Sequence, residues 1–234
     1  MPNEYPTLMH YTTRFLLERS KAIKCPTIAL QLAGGKKVQE VLTQPGVLER
    51  FLADEKSGEH IFGEDDINEL RASFMNMWGL DVSVDMLTPD HIAIKSGQEE
   101  FGVRKARECA TSLVLKPQRE GGGNNVYKEA IPEFLDALAP QERRAWIAME
   151  LIRPPGNIGN YLIRAGLAES ESEVPVKAEV VSELGIYGWA LFGGPSKGVE
   201  EKQVGWLVRT KGKESNEGGV ATGFSVLDSL LLVD

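Results

Sequence analysis

The chain opens on amphipathic segments and closes on alternating ones. From Thr7 to Ile23, the residues Leu8, Tyr11, Phe15 and Leu16 recur at helical spacing, while Arg14, Glu18 and Arg19 fall on other faces. That pattern predicts an amphipathic helix. Pro26 ends the region, and the apolar run Thr27 to Leu32 reads as a strand. Gly34-Gly35 then breaks the chain before a helical segment from Lys36 to Leu52, which Pro45 splits by opening a second helix at its first turn. Gly63 to Trp78 reads as a helix, with Glu64, Asp65 and Asp66 in a first turn where the dipole favours acids. Residues 81 to 110 are polar, and Glu99 to Ala110 reads as a helix.

Beyond residue 110 the period changes. Ser112 to Leu115 is long enough for one buried strand, which Pro117 stops because proline cannot donate to a ladder. Lys128 to Leu138 reads as a helix with Pro132 near its start, and Ala145 to Ile152 as an apolar strand ended by Pro154-Pro155-Gly156. Val176 to Phe192 alternates with period two, interrupted by Gly185 and Gly188, which predicts antiparallel strands with a bend. Gln203 to Lys211 is a further strand, followed by the polar loop Gly212 to Gly219. No repeat or low-complexity tract is present. Helices first and strands later predict an α+β protein with antiparallel sheets rather than a βαβ array. The expected division is a mainly helical segment over 1–110 and a sheet region with glycine-rich loops over 111–234.

Composition is ordinary for a globular chain of 234 residues: 42% hydrophobic and 26% charged, enough for one or two domains. A net charge of −8 without a basic tail argues against a nucleic-acid partner. No apolar run approaches the ~20 residues of a membrane span. Cys25 and Cys109 have no metal spacing and fit a reduced intracellular protein; with no signal-like N-terminus, the expected compartment is the cytoplasm. His10, His60 and His91 are scattered and form no ligand set.

The chemistry concentrates in Lys116-Pro117-Gln118-Arg119-Glu120-Gly121-Gly122-Gly123-Asn124-Asn125. Glycines let successive backbone N–H groups approach an anion, Lys116 and Arg119 add positive charge, and Glu120 is a hard oxygen ligand suited to Mg²⁺. The run is not a Walker A loop, since no Gly-Lys-Ser/Thr follows, and it also suits a flexible hairpin turn. Lys36 follows two glycines at a helix start, where it can reach a phosphate or stay solvated. Met149-Glu150-Leu151-Ile152 can sandwich an adenine or belong to a core. Glu183, in an apolar strand, is a nucleotide ligand or a carboxylate facing water. Arg209 and Lys211 alternate around Thr210, so both point to one face; they repel unless an anion sits beside them, and a solvated edge strand is the other reading. Glu217-Gly218-Gly219-Val220-Ala221-Thr222-Gly223 is a second small-residue loop that allows close backbone approach.

The run from Lys116 to Asn125 resembles the glycine-rich loop of eukaryotic-type glutathione synthetase, an ATP-grasp ligase. Cys25 to Gln39, Met149 to Ile152, Ser182 to Ile186 and Arg209 to Ala221 follow in that family's order. The resemblance implies an ATP-grasp-like fold of antiparallel sheets with flanking helices and a glycine-rich lid. It implies ATP-dependent ligation of γ-glutamylcysteine and glycine through an acyl phosphate, with ATP and Mg²⁺ as cofactors. It assigns nucleotide contacts to Lys36, Lys116, Glu120, Gly121, Gly122, Gly123, Asn124, Asn125, Tyr127, Met149, Glu150, Leu151, Ile152, Glu183, Lys211 and Glu217. Glu120 also takes the metal. Arg209, Val220 and Ala221 contact substrate, and Arg209 and Lys211 are the catalytic pair. Two positions depart from the pattern: Leu151 stands where the hinge commonly has lysine, and Glu217 where aspartate is usual.

The resemblance covers only the C-terminal part of the family's longer polypeptide. The family's other metal ligands, a glutamate and an asparagine, would lie upstream of Met1, as would most γ-glutamylcysteine contacts and the dimer-forming region. The expectation is therefore a fragment, a truncated product or one piece of a split enzyme that does not make glutathione alone. The other reading is a non-catalytic remnant that binds nucleotide or partners the full-length enzyme.

Overall fold

The structure, a computed structural model, describes residues 5–53, 62–81, 100–118, 123–156, 158–162, 175–193, 198–216, 218–220 and 223–229. Two compact units divide the chain, Met1–Ile152 and Arg153–Asp234.

The first unit is built on an antiparallel sheet of β1 (Met77–Gly79), β2 (Leu113–Pro117), β3 (Val126–Tyr127) and β4 (Trp146–Glu150), in the order β1-β4-β2-β3. Residues paired across an antiparallel ladder share a face, so the register sorts the sheet's two sides. Trp78 lies opposite Ala148, and Ala148 opposite Leu115, which places them with Leu113 on the core side. There they join Val103 and Ala106 of α6 (Phe101–Glu108) and Ile131 and Leu135 of α7 (Ile131–Ala137) in one buried cluster. Burial of each large aliphatic side chain contributes roughly 1.5–3 kcal/mol. Helix α6 comes close to β1: a Cβ on Gly102 would lie 2.3 Å from the Gly79 carbonyl oxygen. The Trp78 indole N–H donates to the Gly102 carbonyl at 3.0 Å, which satisfies the buried ring nitrogen.

Five α-helices precede α6 among the described residues: α1 (Leu8–Arg19), α2 (Ile28–Ala33), α3 (Lys36–Leu42), α4 (Val47–Leu52) and α5 (Glu64–Ala72). Glu40 of α3 is only 3% exposed, and its carboxylate takes Lys37 Nζ at 2.9 Å and Gln44 Nε2 at 3.1 Å. Arg71 of α5 holds both Glu49 oxygens at 2.6 Å and the Thr43 carbonyl at 3.2 Å, tying α5 to α4 and the end of α3. Helix α1 buries no residue among those described.

The structure corrects three expected elements. Thr27 to Leu32 is not a strand but lies in α2, because the Thr27 hydroxyl accepts the Leu30 N–H and caps a helix. A short apolar run does not reveal which of the two it will form. The helix expected from Gly63 to Trp78 stops at Ala72, and Trp78 belongs to β1. The segment Val176 to Phe192 is one long strand, bent by a register shift at Tyr187/Gly188 rather than divided.

The second unit is an antiparallel sheet in the order β5-β6-β7-β8, with β5 (Gly159–Leu162), β6 (Val176–Phe192), β7 (Val199–Gly212) and β8 (Val226–Asp228). Val180, Val208 and Thr210 are buried, whereas Ile186, Tyr187, Trp189 and Trp206 on the outer ribbon are exposed. The two antiparallel sheets with flanking helices agree with the expected α+β architecture. No helix among the described residues is long and apolar enough to cross a membrane.

Candidate functional site

In the first unit, Val114 lies opposite both Met149 and Tyr127, and Lys116 lies opposite Ile147. The register thus brings three expected residues, Lys116, Tyr127 and Met149, onto the sheet face away from the core cluster. Asn125 Nδ2 donates to the Tyr127 hydroxyl at 3.2 Å. Gly123 sits at φ +85°, a left-handed conformation that suits a residue without Cβ. Of the expected set, Glu120, Gly121, Gly122, Glu217 and Ala221 lie outside the described residues.

Lys36 opens α3, and Gly35 is its N-cap. The two adjacent lysines differ. Lys37 Nζ is engaged by Glu40 at 2.9 Å and Asp81 at 3.7 Å, whereas among the described residues no carboxylate pairs with Lys36. A residue outside the expected set joins this helix to the loop: Gln118 Oε1 accepts the Lys37 N–H at 2.8 Å. Its own N–H donates to the Ala145 carbonyl at 2.9 Å, which continues the β2–β4 ladder past Pro117. Among the described residues, the buried Gln118 Nε2 meets no hydrogen-bond acceptor. Gln118 was visible in the Lys-Pro-Gln-Arg-Glu run, but nothing local signalled a contact so far back in the chain.

At the other end of β4, the Glu150 and Leu151 N–H groups donate to the Asn76 and Ser112 carbonyls at 2.8 and 2.9 Å. Those two amides are therefore committed within the fold. Ile152 is 74% exposed, so the apolar surface of this tetrapeptide lies at its last residue. The Glu150 carboxylate is held by Asn76 Nδ2 at 2.8 Å. A cleft of about 550 Å³ at the opposite end of β2 is lined by Pro117, Gln118, Asn124, Phe134 and Trp146, among others. Pro117 and Trp146 pair on the core face, so of the expected residues this cleft takes only Asn124.

In the second unit the expected ligands converge. Glu183 on β6 lies directly opposite Arg209 on β7. Arg209 Nε donates to Glu183 Oε2 at 2.7 Å, and Nη2 donates to the same oxygen. Lys211 Nζ stands 3.9 Å from the other carboxylate oxygen, with its side chain only 14% exposed. The anion needed between two cations on one face is thus supplied by the chain itself. Gly218 presses on this cluster: a Cβ there would come within 3.2 Å of Glu183 Oε1 and 3.7 Å of Arg209 Nη2. Val220 follows at the turn closed by the Gly223 N–H to Val220 carbonyl bond at 3.0 Å. Among the described residues no group of three His, Cys, Asp or Glu side chains could hold a metal ion.

Known proteins resemble this chain along its length. The model of the eukaryotic glutathione synthase ATP-binding domain matches residues 7–232. The chain is 39% identical over 236 residues to a chloroplastic glutathione synthetase of Arabidopsis thaliana, covering 99% of this chain and 37% of that protein. It is 41% identical over 231 residues to the glutathione synthetase of Bos taurus, covering 98% of this chain and 42% of that protein. A solved glutathione synthetase-like effector from Globodera pallida, in its apo form, shares the fold with a TM-score of 0.59 at 23% identity, covering 94% of this chain and 39% of that one. The chain therefore spans well under half the length of these relatives, 37% and 42% of the two synthetases. With the family model matched over residues 7–232, the chain belongs to the eukaryotic glutathione synthase family through its ATP-binding domain.

Proposed function

We propose that the chain is the ATP-binding part of a glutathione synthetase-type ligase that joins γ-glutamylcysteine to glycine. The observation that supports this most is the Glu183–Arg209–Lys211 cluster beside Gly218. Glu183 aligns one planar fork and one point charge on the face that Gly218 approaches. Arg209 orients a substrate carboxylate, and Lys211 meets a phosphate of ATP. In the reaction, a cysteinyl carboxylate oxygen bonds to the γ-phosphorus and ADP leaves, giving an acyl phosphate. The glycine amine then bonds to the acyl carbon, phosphate leaves, and the amine loses a proton.

Such chemistry is mostly positioning and charge neutralisation. Lys36, Lys116 and Lys211 each offer a positive charge to a phosphate. Glu120 is the residue of this chain that would hold Mg²⁺, since a carboxylate is the hard donor this ion takes; bound there, the ion neutralises phosphate charge. Met149 and Ile152 offer apolar surface to the adenine, and the glycine-rich runs exclude water that would hydrolyse the acyl phosphate. The cytoplasm is the proposed compartment, in keeping with Cys25 and Cys109 as free thiols.

The test is thermal unfolding in increasing Mg·ATP. Selective binding to the folded chain raises stability by about 2.7 kcal/mol at a ligand concentration 100 times Kd. An unfolding midpoint indifferent to Mg·ATP across the millimolar range contradicts the reading. Phosphate release on addition of γ-glutamylcysteine and glycine then tests the reaction assigned to the chain.

A further inference from the structure

Strand alternation forces Thr210, between Arg209 and Lys211, to the reverse face of β7. There it is 1% exposed, a polar side chain that must find partners. It finds two. Its hydroxyl lies 2.8 Å from Ser182 Oγ, directly across on β6, and donates to Asp228 Oδ2 on β8 at 2.7 Å. Asn160 Nδ2 of β5 reaches the same Asp228 oxygen at 3.4 Å, and the Ser229 N–H donates to Oδ1 at 2.8 Å. One hydrogen-bonded chain therefore touches every strand of the second sheet behind the cation pair.

We propose that Thr210 and Asp228 are positioning residues for Arg209 and Lys211. This rests on the ligand roles proposed above for those two cations. β6 sets the register of β7 along its whole length, Val199–Gly212, whereas on the other edge β8 pairs with β7 over just three residues, Val208–Thr210. The β6 ladder fixes the face that Arg209 and Lys211 take, and the Thr210 hydroxyl ties the back of that stretch to Ser182 and Asp228. The Thr210–Asp228 bond holds the short β8 edge against β7 behind the two cations, and its loss would strand a buried hydroxyl and a carboxylate. It also clasps the base of the segment carrying Gly218 and Val220, since β8 follows it. The Phe224 and Ser225 N–H groups both donate to the Gly219 carbonyl, at 2.9 and 3.2 Å, which fixes the approach to β8. Asp228 thus acts on ligands through the strand it holds.

The experiment compares the full chain with Thr210→Val, Thr210→Ser and Asp228→Asn. Valine keeps the volume and β-branching, so it deletes the hydroxyl with little disturbance of the strand. Serine restores the hydroxyl. The first readout is the arginine Nε–H NMR resonance of Arg209, assigned by its loss in Arg209→Lys and slow to exchange while Glu183 holds it. The second is the Mg·ATP dissociation constant. We expect Thr210→Val to speed exchange of the Arg209 resonance and weaken Mg·ATP binding about tenfold, the scale of a hydrogen bond to a charged group. Thr210→Ser is expected to restore both, and Asp228→Asn, which keeps an acceptor, to fall between. An unchanged Arg209 resonance in Thr210→Val, or a loss in Thr210→Ser as large, overturns the proposal. If the unmodified chain binds no nucleotide, the proposed function falls, and the Arg209 resonance alone decides the positioning role.

Discussion

The side-chain carbonyl of Gln118 accepts the backbone N–H of Lys37 at 2.8 Å, across 81 residues of chain. The bond fastens the start of α3, which carries Lys36, to the end of β2, which carries Lys116. Replacing Gln118 by Met removes the acceptor and strands the amide. The expected outcome is a loss of about 1 kcal/mol in denaturant unfolding together with weaker Mg·ATP binding. Gln118→Glu keeps an acceptor, suits the helix start electrostatically and should retain most stability. Equal stability of the Met variant and the unmodified chain would show that the bond does not hold α3.

Gly218 meets the ion pair where a methyl group has little room, 3.2 Å from Glu183 Oε1. Gly218→Ala is expected to displace the Glu183–Arg209 pair and weaken Mg·ATP binding more than it lowers Tm. Calorimetry and thermal unfolding of the same sample separate the two effects. A fall in Tm with affinity intact contradicts the placement.

Gly102 has a structural part instead. Its missing Cβ would lie 2.3 Å from the Gly79 carbonyl oxygen and 2.9 Å from that of Leu80, both backbone atoms that cannot swing aside. Gly102→Ala should therefore destabilise the first unit by about 1–3 kcal/mol through overpacking. An unaltered urea midpoint is the contrary result.

The Glu49 carboxyl is held below its ordinary value, first by a backbone hydrogen bond at Glu49 itself and then by the Arg71 guanidinium. A carboxyl depressed in the folded state adds stability that is fully present above its unfolded value and lost as pH falls through the folded one. The stability difference between the chain and Glu49→Gln is thus expected to be complete near neutral pH. It should fade as pH drops below the ordinary value of 4.5. The effect is small because the pair is partly solvated, and a difference that grows toward acid contradicts the assignment.

Much of this was legible in local sequence. The period-two pattern around Glu183 and Arg209 predicted strands, and Arg209 and Lys211 had to share a face whatever their partners. What remained hidden was pairing. Nothing near Arg209 announces that Glu183, 26 residues away, will sit opposite it, because register is set by whole-strand complementarity. Thr27 to Leu32 misled for a local reason: its apolar residues suit either element, and one hydroxyl cap decides. Trp78 looked like the end of a helix because its strand, β1, is three residues long and defined by its partner β4. Gln118 stood in plain view within the glycine-rich run, yet its contact with Lys37 exists only after folding.

On the proposed function, this chain binds Mg·ATP with Lys116 on a phosphate. The decisive measurement is calorimetric titration of Mg·ATP into the full chain and into Lys116→Met, since methionine keeps the unbranched stem and deletes the charge. The expected result is saturable binding to the unmodified chain, an affinity about tenfold weaker in Lys116→Met, the scale of one charge-assisted hydrogen bond, and little change in Tm. Equal affinity in the two proteins contradicts it.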